Sequence, residues 1–309
     1  MVHVQFEPAL LGTLRDKVVV LTGGATGIGR AAVLQFAEAG SKIVYGDIHN
    51  PPLPTTLPES TLKNIHYKHC DTTSYESVLS LFSHAAATLG AIDIVVANAG
   101  VANHKDVFAA DADITVAPSM REVDVNLTGV IYTARIGLHY LRKNGKGGGD
   151  VVLVSSIAGF KESGGLGIYS ASKHGVLGLM RGLHGDAIND GIRINVICPW
   201  MTKTAMVKGI EDGWAKLGLP ENTPEDVARS FLLCASATRG VDAGETHPGA
   251  RLPFAGKILW IAGGEAYEIE DGIQELEPKW LGEENSRVLK MGQEFLASGG
   301  TSWDVDKKA

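Results

Sequence analysis

Seven short runs of β-branched and apolar residues alternate with longer helical patterns, and this alternation constrains the fold more than any other feature of the chain. The runs cover residues 17–22, 42–46, 65–69, 92–97, 150–155, 192–197 and 257–261. Most are apolar at consecutive positions, so both faces of each strand must be covered. Helical spacing fills 28–39, 74–89, 118–143 and 169–189. Strands buried on both faces and separated by helices imply a parallel sheet. Right-handed crossovers then give a doubly wound, Rossmann-type α/β fold of about seven strands with helices on both faces.

One large domain fits 309 residues of which 44% are hydrophobic. Its core is expected over about 17–264, with a substrate lid at about 200–223 where the alternation breaks, and an extension at 265–309. Within the extension, 283–296 can form an amphipathic helix with Val288, Met291, Phe295 and Leu296 on or near one face. That helix is expected to pack on its own domain or on a neighbouring subunit, with a lid over the substrate as the alternative. A net charge of −7 argues against a binder that tracks nucleic-acid phosphates. Cys70, Cys198 and Cys234 are far apart, which suggests neither a disulfide framework nor a metal site and fits a reducing, cytoplasmic location. Residues 1–13 lack a cationic segment followed by an apolar run, and no stretch approaches the ~20 apolar residues of a membrane span.

The chemistry begins after the first strand, at Thr22-Gly23-Gly24-Ala25-Thr26-Gly27-Ile28-Gly29. Glycines 23, 27 and 29 let the backbone turn sharply and come close to a pyrophosphate, and the next helix points its N–H groups there. The loop lies between a strand and a helix, the context such a motif requires. Asp47 ends the second strand. A carboxylate there accepts hydrogen bonds from an adenosine ribose and repels a 2′-phosphate, which favours NAD over NADP. No Arg or Lys lies in the glycine loop or beside Asp47 in sequence.

Tyr169 and Lys173 stand four apart at a helix start and share a face. A free tyrosine is a poor base at neutral pH. An ammonium ~4 Å away, at an effective dielectric of ~20, favours the phenolate by about 4 kcal/mol, so Lys173 is expected to lower the phenol pKa toward the range of general base catalysis. Ser155 and Ser156 close the fifth strand, where parallel sheets bind ligands.

Together these residues resemble the short-chain dehydrogenase/reductase superfamily over roughly 17–264. Asn98-Ala99-Gly100 is similar to the family's motif after the fourth strand, and Asn126 in Asp124-Val125-Asn126 to its helix asparagine. The family serine lies thirteen residues before the tyrosine, which selects Ser156. The resemblance implies a catalytic tetrad of Asn126, Ser156, Tyr169 and Lys173. In it Tyr169 takes the alcohol proton, Ser156 orients the oxygen, Lys173 holds the nicotinamide ribose, and Asn126 holds a relay water. It also implies that NAD lies against Gly23, Thr26, Gly27, Ile28, Gly29, Asp47, Ile48, Asp71, Thr72, Asn98, Ala99, Gly100, Tyr169, Lys173, Pro199, Thr202 and Thr204. Within the superfamily, Tyr169 to Gly175 and Asn195 to Pro199 look like 15-hydroxyprostaglandin dehydrogenase-like NAD enzymes, and the tail like fungal secondary-metabolite dehydrogenases. One departure stands out: Trp200 follows Pro199 where the family has glycine, so the loop shifts or the indole walls the pocket.

Ser156, Phe160, Trp200, Met206 and Trp214 are the expected substrate-pocket residues. Apolar side chains near the tyrosine suggest a lipophilic or aromatic secondary alcohol, or its ketone. The resemblance further implies a homodimer or homotetramer. Two other functions stay open on the sequence: a non-redox, epimerase or dehydratase-type enzyme on the same site, and a catalytically silent NAD-binding regulator.

Overall fold

In the run Val18–Thr22, Val19 and Leu21 point into one helical layer while Val18 and Val20 point into the other. The consecutive apolar pattern is thus a strand covered on both faces. The computed structural model describes residues 1–54, 57–103, 105–237 and 246–297. The part of the extension at 298–309 lies outside the described residues.

The strands are β1 (Val2–Val4), β2 (Val18–Thr22), β3 (Lys42–Asp47), β4 (Ile65–His69), β5 (Ile94–Ala97), β6 (Gly149–Val154), β7 (Ile192–Pro199), β8 (Ile258–Ala262) and β9 (Glu265–Glu268). The helices are α1 (Gly27–Glu38), α2 (Glu59–Leu62), α3 (Tyr75–Leu89), α4 (Arg121–Val123), α5 (Gly129–Arg142), α6 (Gly167–Ala187), α7 (Glu211–Lys216), α8 (Pro224–Ser236), α9 (Glu270–Glu275), α10 (Glu277–Leu281) and α11 (Glu283–Ala297). The sheet order is β1-β9-β8-β7-β6-β5-β2-β3-β4. β2 to β8 are parallel to their neighbours, whereas β9 and β1 are antiparallel additions. One layer carries Phe36 of α1 and Phe231 of α8. The other carries Leu81 and Phe82 of α3, Leu141 of α5 and Met180 of α6.

The seven strands expected from the sequence are β2 to β8; the sheet has nine. β1 has three residues, and β9 begins and ends with glutamate. Short, charged edge strands protect a sheet from further pairing and carry little hydrophobic signal. The chain order reverses between β2–β3–β4 on one side and β5–β6–β7–β8 on the other, which opens a crevice at the carboxyl ends of β2 and β5.

Within the extension α11 forms and packs against α10, with Val288, Met291, Phe295 and Leu296 exposed on the single chain. No helix among the described residues is long and apolar enough to cross a membrane.

At the opposite end of the sheet from the crevice, Arg193 donates to Asp150 at 2.7 Å and to the Ala237 carbonyl at 2.6 Å, with both charged side chains almost fully buried. Removing one partner takes away a buried, charge-assisted contact. Asp150→Ala is expected to cost about 3–5 kcal/mol in urea unfolding; a loss below about 1 kcal/mol would contradict this.

Candidate active site

The glycine loop folds back on itself between β2 and α1. Gly23 has φ of 74°, and a Cβ there would lie 2.7 Å from the Ala99 α-carbon. A Cβ on Gly29 would collide with the Gly23 carbonyl oxygen. Only glycine permits this closeness. Asn98 stitches the crevice, donating from Nδ2 to the carbonyls of Gly23 at 2.9 Å and Thr22 at 3.2 Å. Thr26 is the N-cap of α1, with no capping bond from its side chain, so the first-turn N–H groups present their positive end to the loop. Ile28 is partly buried against the core. Thr204 packs on Gly27, 3.3 Å from where a Cβ would sit.

Asp47 turns onto this loop. Its Oδ2 accepts the Ala25 N–H and its Oδ1 the His49 N–H, each at 3.0 Å. Ile48 is exposed beside it. Asp71 lies at the start of α3, where Thr73 donates twice to Oδ1 and holds the carboxyl below the usual range. Thr72 is buried against Gly129. The sequence placed no cation beside Asp47, but Arg30 reaches across from α1 and donates to the Pro52 carbonyl at 2.7 Å, in the segment that follows β3. The cradle fits a dinucleotide: glycines where a Cβ would fill the space, an open helix N-terminus and a ribose-side carboxylate.

Ser156, Tyr169, Lys173 and Asn126 converge next to this cradle. Lys173 Nζ is 5.7 Å from the Tyr169 ring centroid and donates to the Val154 carbonyl at 3.1 Å. Ser156 caps the short turn Ile157–Gly159, its hydroxyl accepting the Ala158 N–H at 3.2 Å and lying close enough to the Tyr169 phenol to act on its ionisation. Ser155 points elsewhere, donating to the Lys173 carbonyl at 2.8 Å. Asn126 is fully buried. It accepts the Val101 N–H and donates to the Val101 carbonyl, each at 2.8 Å. A Cβ on Gly100 would lie 3.3 Å from Asn126 Oδ1 and 3.5 Å from Lys173 Nζ.

The single helix expected over 118–143 is instead α4, a π-helical stretch Asp124–Thr128, and α5. The wider turn keeps Val125 and Val130 in the core while Asn126 meets Val101. Single π-turns are often found at functional sites.

The lid leaves β7 at Pro199. Thr202 is not free to bind a ligand by its hydroxyl alone: it donates to the Trp200 carbonyl at 3.0 Å and is bridged to Asn222. Trp200 sits in an aromatic group: its backbone N–H donates to the Ile261 carbonyl at 2.9 Å, and its indole lies 5.1 Å from Trp214 and 5.6 Å from Trp260. Trp214 Nε1 donates to the Pro220 carbonyl at 2.8 Å. Met206 is at the exposed rim, and Phe160 is packed partly into the α3/α5/α6 layer. The sequence missed Glu122, which is buried and accepts the Asn103 N–H at 2.8 Å. Its placement four residues before Asn126 was a usable signal. Cys198 was seen only as a small buried residue. It lies among Ser155, Ser156 and Lys173, and burial pushes its thiol up to about 12.

The electrostatics reverse the expectation for Tyr169. Burial holds its phenol above the ordinary 10.0, partly offset by the Ser156 hydroxyl, while Glu122 adds to the rise. Burial also lowers Lys173 to about 8. The ammonium sits beside the ring and against a carbonyl, so its attraction for a phenolate is smaller than four-residue spacing suggested. Folding therefore disfavours charged Lys173, at about 3 kcal/mol. Below pH 8 the folded protein carries that whole cost; it shrinks as pH rises toward 10.5 and vanishes above, where both states are neutral. Lys173→Met is expected to be more stable than the parent at pH 7, with the advantage fading by pH 10.5. Urea unfolding at the two pH values checks this, and a less stable variant at pH 7 would contradict it.

Comparison with known proteins agrees with this geometry. The family described as short chain dehydrogenase matches residues 17–214. The short-chain dehydrogenase/reductase ascJ of Acremonium egyptiacum is 34% identical over 284 residues, covering 87% of this chain and 93% of that protein. The 5′-hydroxyaverantin dehydrogenase stcG of Emericella nidulans is 32% identical over 300 residues, covering 91% and 94%. A crystal structure of a short-chain type dehydrogenase/reductase from Mycobacterium marinum superposes with a TM-score of 0.67 at 24% identity, covering 82% of this chain and 97% of that one, and shares the fold. The chain belongs to the short-chain dehydrogenase family, whose members bind NAD or NADP.

Proposed function

We propose that this protein interconverts a lipophilic or aromatic secondary alcohol and its ketone using NAD, with Tyr169 as the proton-transfer group. The observation that carries this reading is the Ser156–Tyr169–Lys173 cluster beside a glycine cradle on one sheet edge. The name of one relative, a dehydrogenase of a hydroxylated compound, supports an alcohol substrate.

When bound, the nicotinamide supplies the hydride acceptor or donor. The rest falls to this chain. Gly23, Gly27 and Gly29 admit the pyrophosphate to the N-terminus of α1, while Asn98, Ala99 and Gly100 support the loop from β5. Thr204, with Pro199 and Thr202 at its base, closes the nicotinamide side, while Ile48, Asp71 and Thr72 border the adenine side. Ser156 holds the substrate oxygen next to the phenol. Tyr169 accepts the carbinol proton during oxidation and returns it during reduction. A phenolate formed there would be stabilised by Lys173, and a bound oxidised nicotinamide would add positive charge to the site. Lys173 would also hold the nicotinamide ribose. Asn126 fixes Val101, and a water held there links the ammonium to solvent.

Asp47 favours NAD because its carboxylate repels a 2′-phosphate. A homodimer or homotetramer through α5 and α6 is part of the proposal, as is a cytoplasmic location, supported by three buried free cysteines.

Tyr169→Phe is expected to lower turnover at least a hundredfold with NAD⁺ affinity nearly unchanged. NADH formation and calorimetric binding check the two arms. Unchanged turnover would defeat the mechanism, and turnover with no NADH formed would favour a non-redox enzyme. In the same assays Asp47→Ala is expected to reduce the preference for NAD⁺ over NADP⁺ about tenfold or more; an unchanged ratio would remove Asp47 from cofactor choice.

A further inference from the structure

We propose that the segment between β5 and α4 forms a second wall of the substrate cleft, with Phe108 as an aromatic platform that selects flat, ring-bearing substrates. This inference rests on the proposed function and adds a specificity-determining residue to it.

The segment leaves the sheet at Asn98-Ala99-Gly100 and returns at Arg121, just ahead of Asn126. Its N-terminal end is fastened to the helical stretch that follows it, Val101 by the Asn126 amide and Asn103 by the Glu122 carboxylate. Its described residues contain neither helix nor strand, yet its backbone is organised by local bonds. The Asp106 carboxylate accepts the Phe108 N–H, and the Asp113 carboxylate the Thr115 N–H, each at 2.9 Å. Long connections of this kind are uncommon unless they bind something.

Phe108 lies on the first residue of α6. A Cβ on Gly167 would be 2.7 Å from its ring, so glycine at that position lets the aromatic group settle two residues before Tyr169. The ring is still 72% exposed. An aromatic side chain placed on a catalytic helix and left open to solvent is badly hydrated, and gains from a flat apolar partner. Across the same end of the sheet stand Trp200 and Trp214, stacked edge to face. A planar ring system held between these walls would present its carbinol to Ser156 and Tyr169. Ile114, Val116 and Met120 in the same segment are also exposed.

The test uses the full chain with NAD⁺ bound and 2-acetonaphthone as the probe, followed by fluorescence. Wild-type protein is expected to bind the ketone, Phe108→Ala to bind it about tenfold more weakly, and Phe108→Tyr to restore most of the affinity. NAD⁺ affinity should stay within about twofold. Equal binding by wild type and Phe108→Ala would overturn the proposal, as would no binding of 2-acetonaphthone by wild type. Equal losses for the ketone and NAD⁺ would assign Phe108 a merely structural role and also overturn it. Because the main readout is binding, a protein that failed to oxidise any alcohol could still show a Phe108-dependent aromatic site.

Discussion

A lysine buried against the Val154 carbonyl, beneath an un-ionised tyrosine, is the constraint around which the cleft is arranged. Both groups pay for burial in the same sense, since each is pushed toward its neutral form. The chain by itself therefore holds a neutral phenol and a lysine near the edge of neutrality. The counter-field that stabilises a phenolate must come from what binds beside them, and the glycine cradle places a dinucleotide there. In the proposed mechanism, proton transfer at Tyr169 is in this way tied to cofactor occupancy.

Asparagine amides hold that arrangement in place. Each carries a donor and an acceptor and can replace a missing backbone partner. Asn98 ties β5 to the glycine loop, and Asn126 pairs both backbone groups of Val101. Asn222 donates to the Ile261 carbonyl and accepts the Gly264 N–H, which pins the base of the lid to the far side of β8. Where the chain leaves the sheet, these buried amides satisfy groups that the strands no longer pair. The segment after β7 and the segment before α4 thus start from hydrogen-bonded roots.

The parallel core was legible because its physical signal is strong. Strands covered on both faces must be apolar at consecutive positions, and β2 to β8 are. The glycine loop, Asp47 and the Tyr169/Lys173 pair were equally visible, because turn geometry and helical spacing are local. What was not legible depends on distant partners. β1 and β9 are too short and polar to announce themselves. The π-turn at Asn126 exists because of Val101, twenty-five residues away. Arg30 meets Pro52 only through the fold, and Thr202 is committed to the lid by Asn222. The direction of the Tyr169 shift was misjudged because spacing gives proximity along a helix, whereas burial and the Val154 carbonyl decide where the ammonium points.

The most direct measurement is a titration of the Tyr169 phenol by NMR, with ¹³C-labelled tyrosine and Tyr169→Phe for assignment, in the absence and presence of NAD⁺. The account predicts ionisation above pH 10.0 for the chain alone and at clearly lower pH with NAD⁺ bound. A phenol that ionises near neutral pH without NAD⁺, or one whose titration NAD⁺ leaves in place, would contradict it.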